Sequence, residues 1–446
     1  MRRSVFLLML SFCIALGNRL HGQTLWSLHD CMVYAVENAP KYKIQELTNQ
    51  NYNRDLRDAA LGFLPSFSGS ISGSFNNGRS ISQEDNSYIN TTSFSNQYGL
   101  SASAYLFNGF QIVNNLKVAR IARLQGIEEA QRIADEIALT TMQNYFNTIH
   151  AHGLVQLARE QLAESQQRLK NTRRMAELGL KGEADVLQIE AEVATQDFNL
   201  TQQENLLADN LLQLKESMFY PIEKPLQIDT TVRWGINLLD QPESPETLYK
   251  TALEHLPESK IAAMKVESTR YQFKSAKWML FPSLSVSGSY GTNYFKANGS
   301  DALSFQKQLA GKQSKSLGLS LSVPLFGGLT RQSRITRTRN EMRIAQYEQE
   351  QTRQEIEATI QRAIQEMEGK SKEYIQAVKT VMAEESAYAI NRRKYEEGLI
   401  NILDLQTSSN RLLEAKVKRL NALLGYQIKR REVTYYQGTS YLDQDF

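Results

Sequence analysis

Twice in this chain an alternating, strand-like stretch runs directly into a charged, helix-periodic stretch of more than sixty residues that contains no proline. The clearer instance begins at Ser314 and reads SKSLGLSLSVPLFGGLTRQSRITRTR to Arg339. Leu317, Leu319, Leu321, Val323 and Leu325 share one face of the strand, and Ser316, Gly318, Ser320 and Ser322 share the other. The polar face carries small hydroxyls and no charge. The other instance, Tyr98 to Arg120, passes from strand to helix through Leu106-Phe107-Asn108-Gly109-Phe110. The helices predicted after these junctions, about Gln111 to Leu178 and Thr330 to Glu397, are each on the order of 100 Å long at a 1.5 Å rise per residue. Helices of that length are not units of a compact domain.

Composition agrees. At 446 residues, 41% hydrophobic content and a mean hydropathy of -0.44 are low for a chain with several compact cores and fit a surface-rich molecule. Residues 1–22 read as a secretory signal: Arg2 and Arg3 form the basic start, Val5 to Leu16 the apolar run, and Gly17 and Gly22 offer small residues for cleavage, placed just before Gln23 or Thr24. Cys13 follows the bulky Phe12 within the apolar run, a poor context for a lipid anchor, and Cys31 alone makes no intrachain disulfide. Without Arg2, Arg3 and Arg19 the 51 Lys and Arg become 48, against 48 Asp and Glu, so net charge gives no argument for nucleic acid. Beyond the signal no run of eighteen apolar residues exists, so any membrane contact must be made by strands.

In order, two helical stretches, Ser27 to Ala39 and Tyr42 to Gly62, flank Pro40, where a break is expected. Strands are expected at about 65–75 and 97–107, separated by an Asn- and Ser-rich loop from about Asn76 to Asn96. In the first, Phe67, Gly69, Ile71, Gly73 and Phe75 oppose Ser66, Ser68, Ser70, Ser72 and Ser74. The following helix carries a heptad seam of small side chains, Ala134, Thr141, Thr148, Val155, Leu162, Leu169 and Ala176, with Ile137, Asn144, Ala151, Ala158, Ser165 and Thr172 three residues on. It turns at Leu178-Gly179-Leu180-Lys181-Gly182 into a return helix with Val186, Val193, Leu200, Leu207 and Leu214. After a proline-rich segment the pattern repeats. Ala35 to Pro40 matches Ala252 to Pro257 at an offset of 217 residues; Phe107 matches Phe326, Leu178-Gly179-Leu180 matches Glu397-Gly398-Leu399, and Asp185 matches Asp404, all at 219. The chain therefore reads as a duplication: a first repeat at 23–218, an equatorial or linker region at 219–245, a second repeat at 246–432 with strands at about 282–291 and 315–325, and a tail at 433–446. The second long helix keeps Ile360, Met367, Tyr374, Val381, Tyr388 and Tyr395 in register.

Strands of nine to eleven residues cross a bilayer when tilted. Their edges cannot face lipid, and four strands cannot close a barrel, so copies of the chain must pool strands, two giving eight and three giving twelve. The uncharged serine face suits an open, hydrated lumen and favours twelve.

The duplicated order of helix, LPS-type strand, loop, strand, LF(N/G)G and heptad helix turning at a G-L pair resembles the TolC family of outer membrane efflux proteins over essentially the whole mature chain. The resemblance implies a membrane α+β homotrimer: a twelve-stranded β-barrel, four strands per chain, continued by an α-helical coiled-coil barrel across the periplasm. It implies a passive exit duct for an efflux pump or type I secretion system, with a periplasmic adaptor and an inner-membrane transporter as partners and outer-membrane lipid around the barrel. It also implies an acidic constriction beginning six residues after the second turn glycine, which is Asp404, with the next position of the motif at Thr407; a latch arginine of the family falls on Ile400. Since Thr407 and Ile400 replace the family's aspartate and arginine, the salt-bridge latch is absent from this pattern.

Each of these residues admits a second reading. Asp404 is either a pore carboxylate that would favour cations or a helix N-cap or first-turn acid. Gly179, Leu180, Gly398 and Leu399, with Asp185 and Ile400 beside them, are either adaptor-contact turns or turn geometry alone. Arg331, Arg334, Arg337 and Arg339 are either a solvated helix face or a contact with lipid head groups. His150 and His152 are two apart on a helix and do not face together, so no metal site is expected. His29-Asp30-Cys31 are neighbours, not an arranged triad, so no enzyme activity and no cofactor is expected. Phe446 matches the terminal residue of barrel-assembly signals, but far from the last strand. The reading from another class is an elongated periplasmic coiled-coil spacer or adhesin without a pore.

Overall fold

The computed structural model describes residues 25–81, 87–230, 244–298 and 303–444. The expected signal with its cleavage point, Cys13, much of the proline-rich segment, Phe446 and the middle of the first strand-to-strand connection lie outside the described residues. Helices α1 (Leu28–Asn38) and α2 (Pro40–Leu61) precede strands β1 (Ser66–Ile81) and β2 (Tyr88–Phe107). Helices α3 (Gln111–Glu177), α4 (Glu183–Ser217), α5 (Pro245–His255) and α6 (Pro257–Trp278) follow, then β3 (Ser283–Ala297), the short α7 (Phe305–Gly311) and β4 (Ser314–Ser322). The chain closes with α8 (Thr330–Glu396), α9 (Ile402–Tyr436) and a 3-10 turn at Tyr441–Asp443.

Contacts divide the chain into two compact units, one of residues 46–129 and 258–352, the other of residues 1–45, 130–257 and 353–446. Each unit takes segments from both halves of the sequence.

The first unit holds an antiparallel sheet in the order β1-β2-β3-β4. Its register sets Ser68 opposite Ser101, Ser101 opposite Ser289 and Ser289 opposite Ser316, so one row of serines crosses all four strands. The hydroxyls pair at 2.6 Å for Ser68 and Ser101 and 2.7 Å for Ser289 and Ser316. Side chains alternate between faces along a strand, so Phe67, Ile71, Phe75, Leu100, Leu317, Leu319 and Leu321 lie on the opposite face, and all are exposed.

The strands differ from expectation in length. β1 and β2 run through most of the expected Asn/Ser loop, pairing out to Ile81 and Tyr88. That stretch is mostly Asn, Ser and Thr, with Phe94 the one large apolar residue between Asn90 and Asn96, so its hydropathy contrast is weak. β4 stops at Ser322 instead of reaching Leu325, because Pro324 has no N–H to give the ladder. The expected polar connection between β3 and β4 contains α7, whose buried Gln308 accepts from the Phe295 N–H at 3.0 Å and donates to the Phe295 carbonyl at 2.9 Å.

Both junctions from sheet to long helix have the same backbone. Gly109 and Phe110 have φ of 64° and 56°, and Gly328 and Leu329 have 61° and 61°. A left-handed conformation costs a non-glycine residue roughly 1–2 kcal/mol, so its recurrence 219 residues apart marks a retained bend. At Gly109 a Cβ would stand 2.6 Å from the Trp278 carbonyl oxygen.

In the second unit the two copies build matching cores. Leu28, Cys31, Met32 and Ala35 of α1 pack on Ala138, Met142, Tyr145, Phe146 and Ile149 of α3, with Leu214 of α4 and Leu226 and Ile228 of the proline-rich segment. Leu248 and Ala252 of α5 and the following Leu256 pack on Ile356, Ile360, Ala363, Ile364 and Met367 of α8, with Tyr426 and Val433 of α9. Each fully buried Leu, Ile, Met or Phe contributes on the order of 2 kcal/mol. The break expected at Pro40 is made by the residue before the ring. Ala39 leaves helical space with φ -64° and ψ 123°, and Pro40 opens α2, where its missing N–H is no loss. Leu256 and Pro257 repeat this arrangement.

Candidate functional site

Both helix hairpins of the second unit turn through one glycine in the left-handed region, Gly179 at φ 73° and Gly398 at φ 75°. The closing bonds match as well. Leu180 N–H donates to the Met175 carbonyl at 2.9 Å, and Leu399 N–H to the Lys394 carbonyl at 2.8 Å, the 6→1 bond of a Schellman turn. Leu178, Leu180 and Leu399 are about 70% exposed (68%, 71% and 68%), so each turn presents leucine to solvent in the single chain.

The helices that leave the turns start differently. At α4 the Asp185 carboxylate accepts from the Gly182 N–H at 3.2 Å, closing back on the turn. At α9 the cap is Asn401, whose Oδ1 accepts from the Asp404 N–H at 2.9 Å. Asp404 is therefore the third helical residue and not the N-cap. It is exposed, its carboxylate has no hydrogen-bond or ionic partner among the described residues, and it stands in the first turn, where the helix dipole favours a negative charge. Thr407 is exposed one turn on, its hydroxyl donating to the Leu403 carbonyl at 2.8 Å. Ile400 is half-buried against an apolar cluster of Ile189, Tyr388, Tyr395, Ile402, Leu405 and Leu412. This cluster joins the two hairpins.

Polar contacts across the hairpins surround that cluster, and the sequence reading did not identify them. Lys181 of the first turn lies 4.8 Å from the centre of the Tyr395 ring. The Tyr388 hydroxyl donates to Glu164, and Ser409 pairs with Gln161 at 3.2 Å. Within the first hairpin Arg168 and Glu192 form an ion pair with side chains only 10% and 4% exposed. Burial pushes the Glu192 carboxyl up from its ordinary range, with Arg168 opposing. The available signal was the Tyr388 and Tyr395 spacing, which marks the seam but not the partner across it.

Cys31 is fully buried, and burial together with Asp30 raises its thiol pKa to about 12, so it is not a nucleophile. Among the described residues no group of three His, Cys, Asp or Glu could hold a metal, and no helix is long and apolar enough to cross a membrane.

Comparison with known proteins places this architecture. The family model described as outer membrane efflux protein matches residues 35–218 and again 248–439. The chain is 24% identical over 423 residues to the toluene efflux pump outer membrane protein TtgC of Pseudomonas putida, covering 86% of this chain and 80% of that one. It is 21% identical over 321 residues to the outer membrane protein TolC of Escherichia coli, covering 70% and 64%. The crystal structure of the outer membrane protein VceC of Vibrio cholerae superposes with a TM-score of 0.75 at 13% identity, covering 93% of this chain and 96% of that one. With the model matched once on each half and the fold shared, this chain belongs to the outer membrane efflux protein family, as an exit duct of the outer membrane with a periplasmic helical region.

Proposed function

We propose that three copies of this chain close one twelve-stranded barrel and that the helix turns form its controlled, adaptor-facing end. The observation that carries the reading is the sheet itself. Its four strands leave β1 and β4 as edges, and on its apolar face Phe67, Ile71, Leu100, Leu317, Leu319 and Leu321 are exposed in the single chain, while α7 packs Phe305 on Tyr98 and Tyr294 at one end. In lipid an open edge would strand its N–H and C=O groups, so each β1 pairs with the β4 of the next copy. The serine row then faces water.

The free Asp404 carboxylate supports a place for it at the constriction, three copies giving a ring that attracts cations, with Thr407 one turn behind. The exposed leucines at Leu180 and Leu399, beside glycines held in the left-handed region, support contact with a periplasmic adaptor, and Asp185 braces the first turn through the Gly182 N–H. Ile400 joins the apolar cluster, so apolar packing and the Lys181–Tyr395 contact take the place of an arginine latch. The duct is passive; an inner-membrane transporter supplies the energy. The repeat limits 23–218 and 246–432, the linker 219–245 and the tail 433–446 remain part of this proposal.

The mass of the detergent-extracted protein tests the assembly. Three chains per particle, extractable only with detergent, is the expected result. Monomers released by urea would favour the poreless spacer.

A further inference from the structure

The four helix segments that adjoin the sheet carry a charge the rest of the chain does not. Residues 48–61, 111–124, 265–278 and 330–343 hold fourteen Lys or Arg against four Asp or Glu. Their net of ten positive charges exceeds the formal +3 of the whole chain, so the remainder is net negative. Elsewhere a number of cations are paired, as in Lys41–Glu136, Arg168–Glu192 and Lys429–Glu366. None of the fourteen makes an ion pair among the described residues. Their contacts are with rings and amides instead: Lys117 and Lys274 lie 4.8 and 5.1 Å from the centre of Tyr271, Lys277 lies 4.4 Å from Phe273, and Arg123 donates to Asn53 at 2.7 Å. Unpaired charge at this density is costly unless a counter-charge is supplied from outside.

Its position says what that counter-charge is. At the strand ends, Phe107, Phe110, Trp278 and Phe281 form a chain of rings with centres 5.3, 4.8 and 4.4 Å apart. Aromatic rings gather at the boundary between bilayer and water, and the basic segments begin immediately on the helix side of these rings. Between α3, α6 and α8 lies a cavity of about 800 Å³, lined by Arg334, Arg337, Gln272, Ser275 and Ser333, with Glu341 the one acid. The helix leading into the opposite edge of the sheet, α2, brings two bases and two acids in its last turns, Arg54, Arg57, Asp55 and Asp58. A neighbouring copy joined at the sheet edges thus offers no net negative face there.

We propose that this basic belt binds anionic phospholipid headgroups of the periplasmic leaflet, and that the cavity beside Arg334 and Arg337 seats one of them. The proposal rests on reading the sheet as part of an outer-membrane barrel. Hydroxyl and amide groups around two guanidiniums suit a phosphate, and each cation near an anionic surface adds a salt-sensitive attraction.

The test uses the full-length protein in detergent, offered labelled phosphatidylglycerol or phosphatidylcholine of the same acyl chains at increasing sodium chloride. The wild type is expected to retain phosphatidylglycerol preferentially, with a preference that declines as salt rises. In R334Q/R337Q the preference is expected to fall by about tenfold or more. R334K/R337K and the remote K372Q are expected to keep most of it. An unchanged preference in R334Q/R337Q, or a wild type that ignores salt and headgroup, overturns the proposal. Displacement of the lipid by millimolar inorganic phosphate makes the cavity a free-anion site and overturns it too. A double variant that no longer assembles assigns the arginines to contact between copies, with the same consequence. Failure of the barrel reading would look different: the wild type would leave membranes in urea without detergent.

Discussion

The two hairpin turns share a backbone and differ in chemistry. Gly179 and Gly398 stand at φ 73° and 75° with the same closing bonds, but behind the first turn the third helical residue, Asp185, reaches back to the N-cap N–H of Gly182, whereas behind the second the side chain of Asn401 caps the helix and leaves Asp404 free. The hairpins differ higher up as well. The first buries the Arg168–Glu192 pair; 219 residues on, these positions are Ala387 and the exposed Arg411. Duplication thus kept the bend, which both copies need for geometric reasons, and freed a carboxylate in one copy.

The largest asymmetry is expected at the buried pair. Arg168→Ala strands Glu192 and should cost about 3–5 kcal/mol, read as a lower denaturation midpoint of the assembled protein, whereas Arg411→Ala should stay within about 0.5 kcal/mol. Equal losses would break the comparison. The pH dependence has a definite sign. Burial raises the folded-state pKa of Glu192 above its unfolded value, so the native state holds the extra proton and stability falls as pH rises through that window. Without Arg168 the carboxylate is penalised further, so the deficit of Arg168→Ala should be largest at neutral pH and shrink on acidification.

Next come the turns themselves. Gly179→Ala and Gly398→Ala should each cost about 1–2 kcal/mol, because both positions require a left-handed residue; clearly unequal losses would mean that the turns are not equivalent. Smaller and opposite in pattern are the caps. Asp185→Ala and Asn401→Ala should each lose about 1 kcal/mol of stability, with Asp404→Asn changing it by less than about 0.5 kcal/mol. Comparable to the caps or smaller is the loss expected at Lys181→Met, about 0.5–1 kcal/mol for a half-exposed cation over the Tyr395 ring.

Much of this was legible in the sequence because period and offset are strong signals. The Ser/apolar alternation located the sheet, and constant offsets of 217 and 219 residues paired the two helix breaks, junctions and turns. What was hidden has physical causes. The outer parts of β1 and β2 are mostly Asn, Ser and Thr, with a few apolar residues such as Ile81 and Phe94, and so show little hydropathy contrast. In α4 the buried residues are Ile189, Glu192 and Gln196 together with Leu214, the one buried member of the heptad row, because a helix of 3.6 residues per turn drifts against a seven-residue repeat. The rotation of one helix against another decides that Tyr388 meets Glu164 and Arg168 meets Glu192, and no single-helix period contains it. Asp404 was recognised as a candidate, yet only the structure shows that Asn401 takes over the capping and leaves its carboxylate unengaged.

The most direct test of the central claim is ion selectivity in planar bilayers, comparing the wild type with Asp404→Asn and Asp185→Asn. The assembled protein is expected to conduct with a cation preference that Asp404→Asn weakens clearly and Asp185→Asn leaves unchanged. A protein that never conducts, or one whose selectivity is indifferent to Asp404 and follows Asp185 instead, would contradict it.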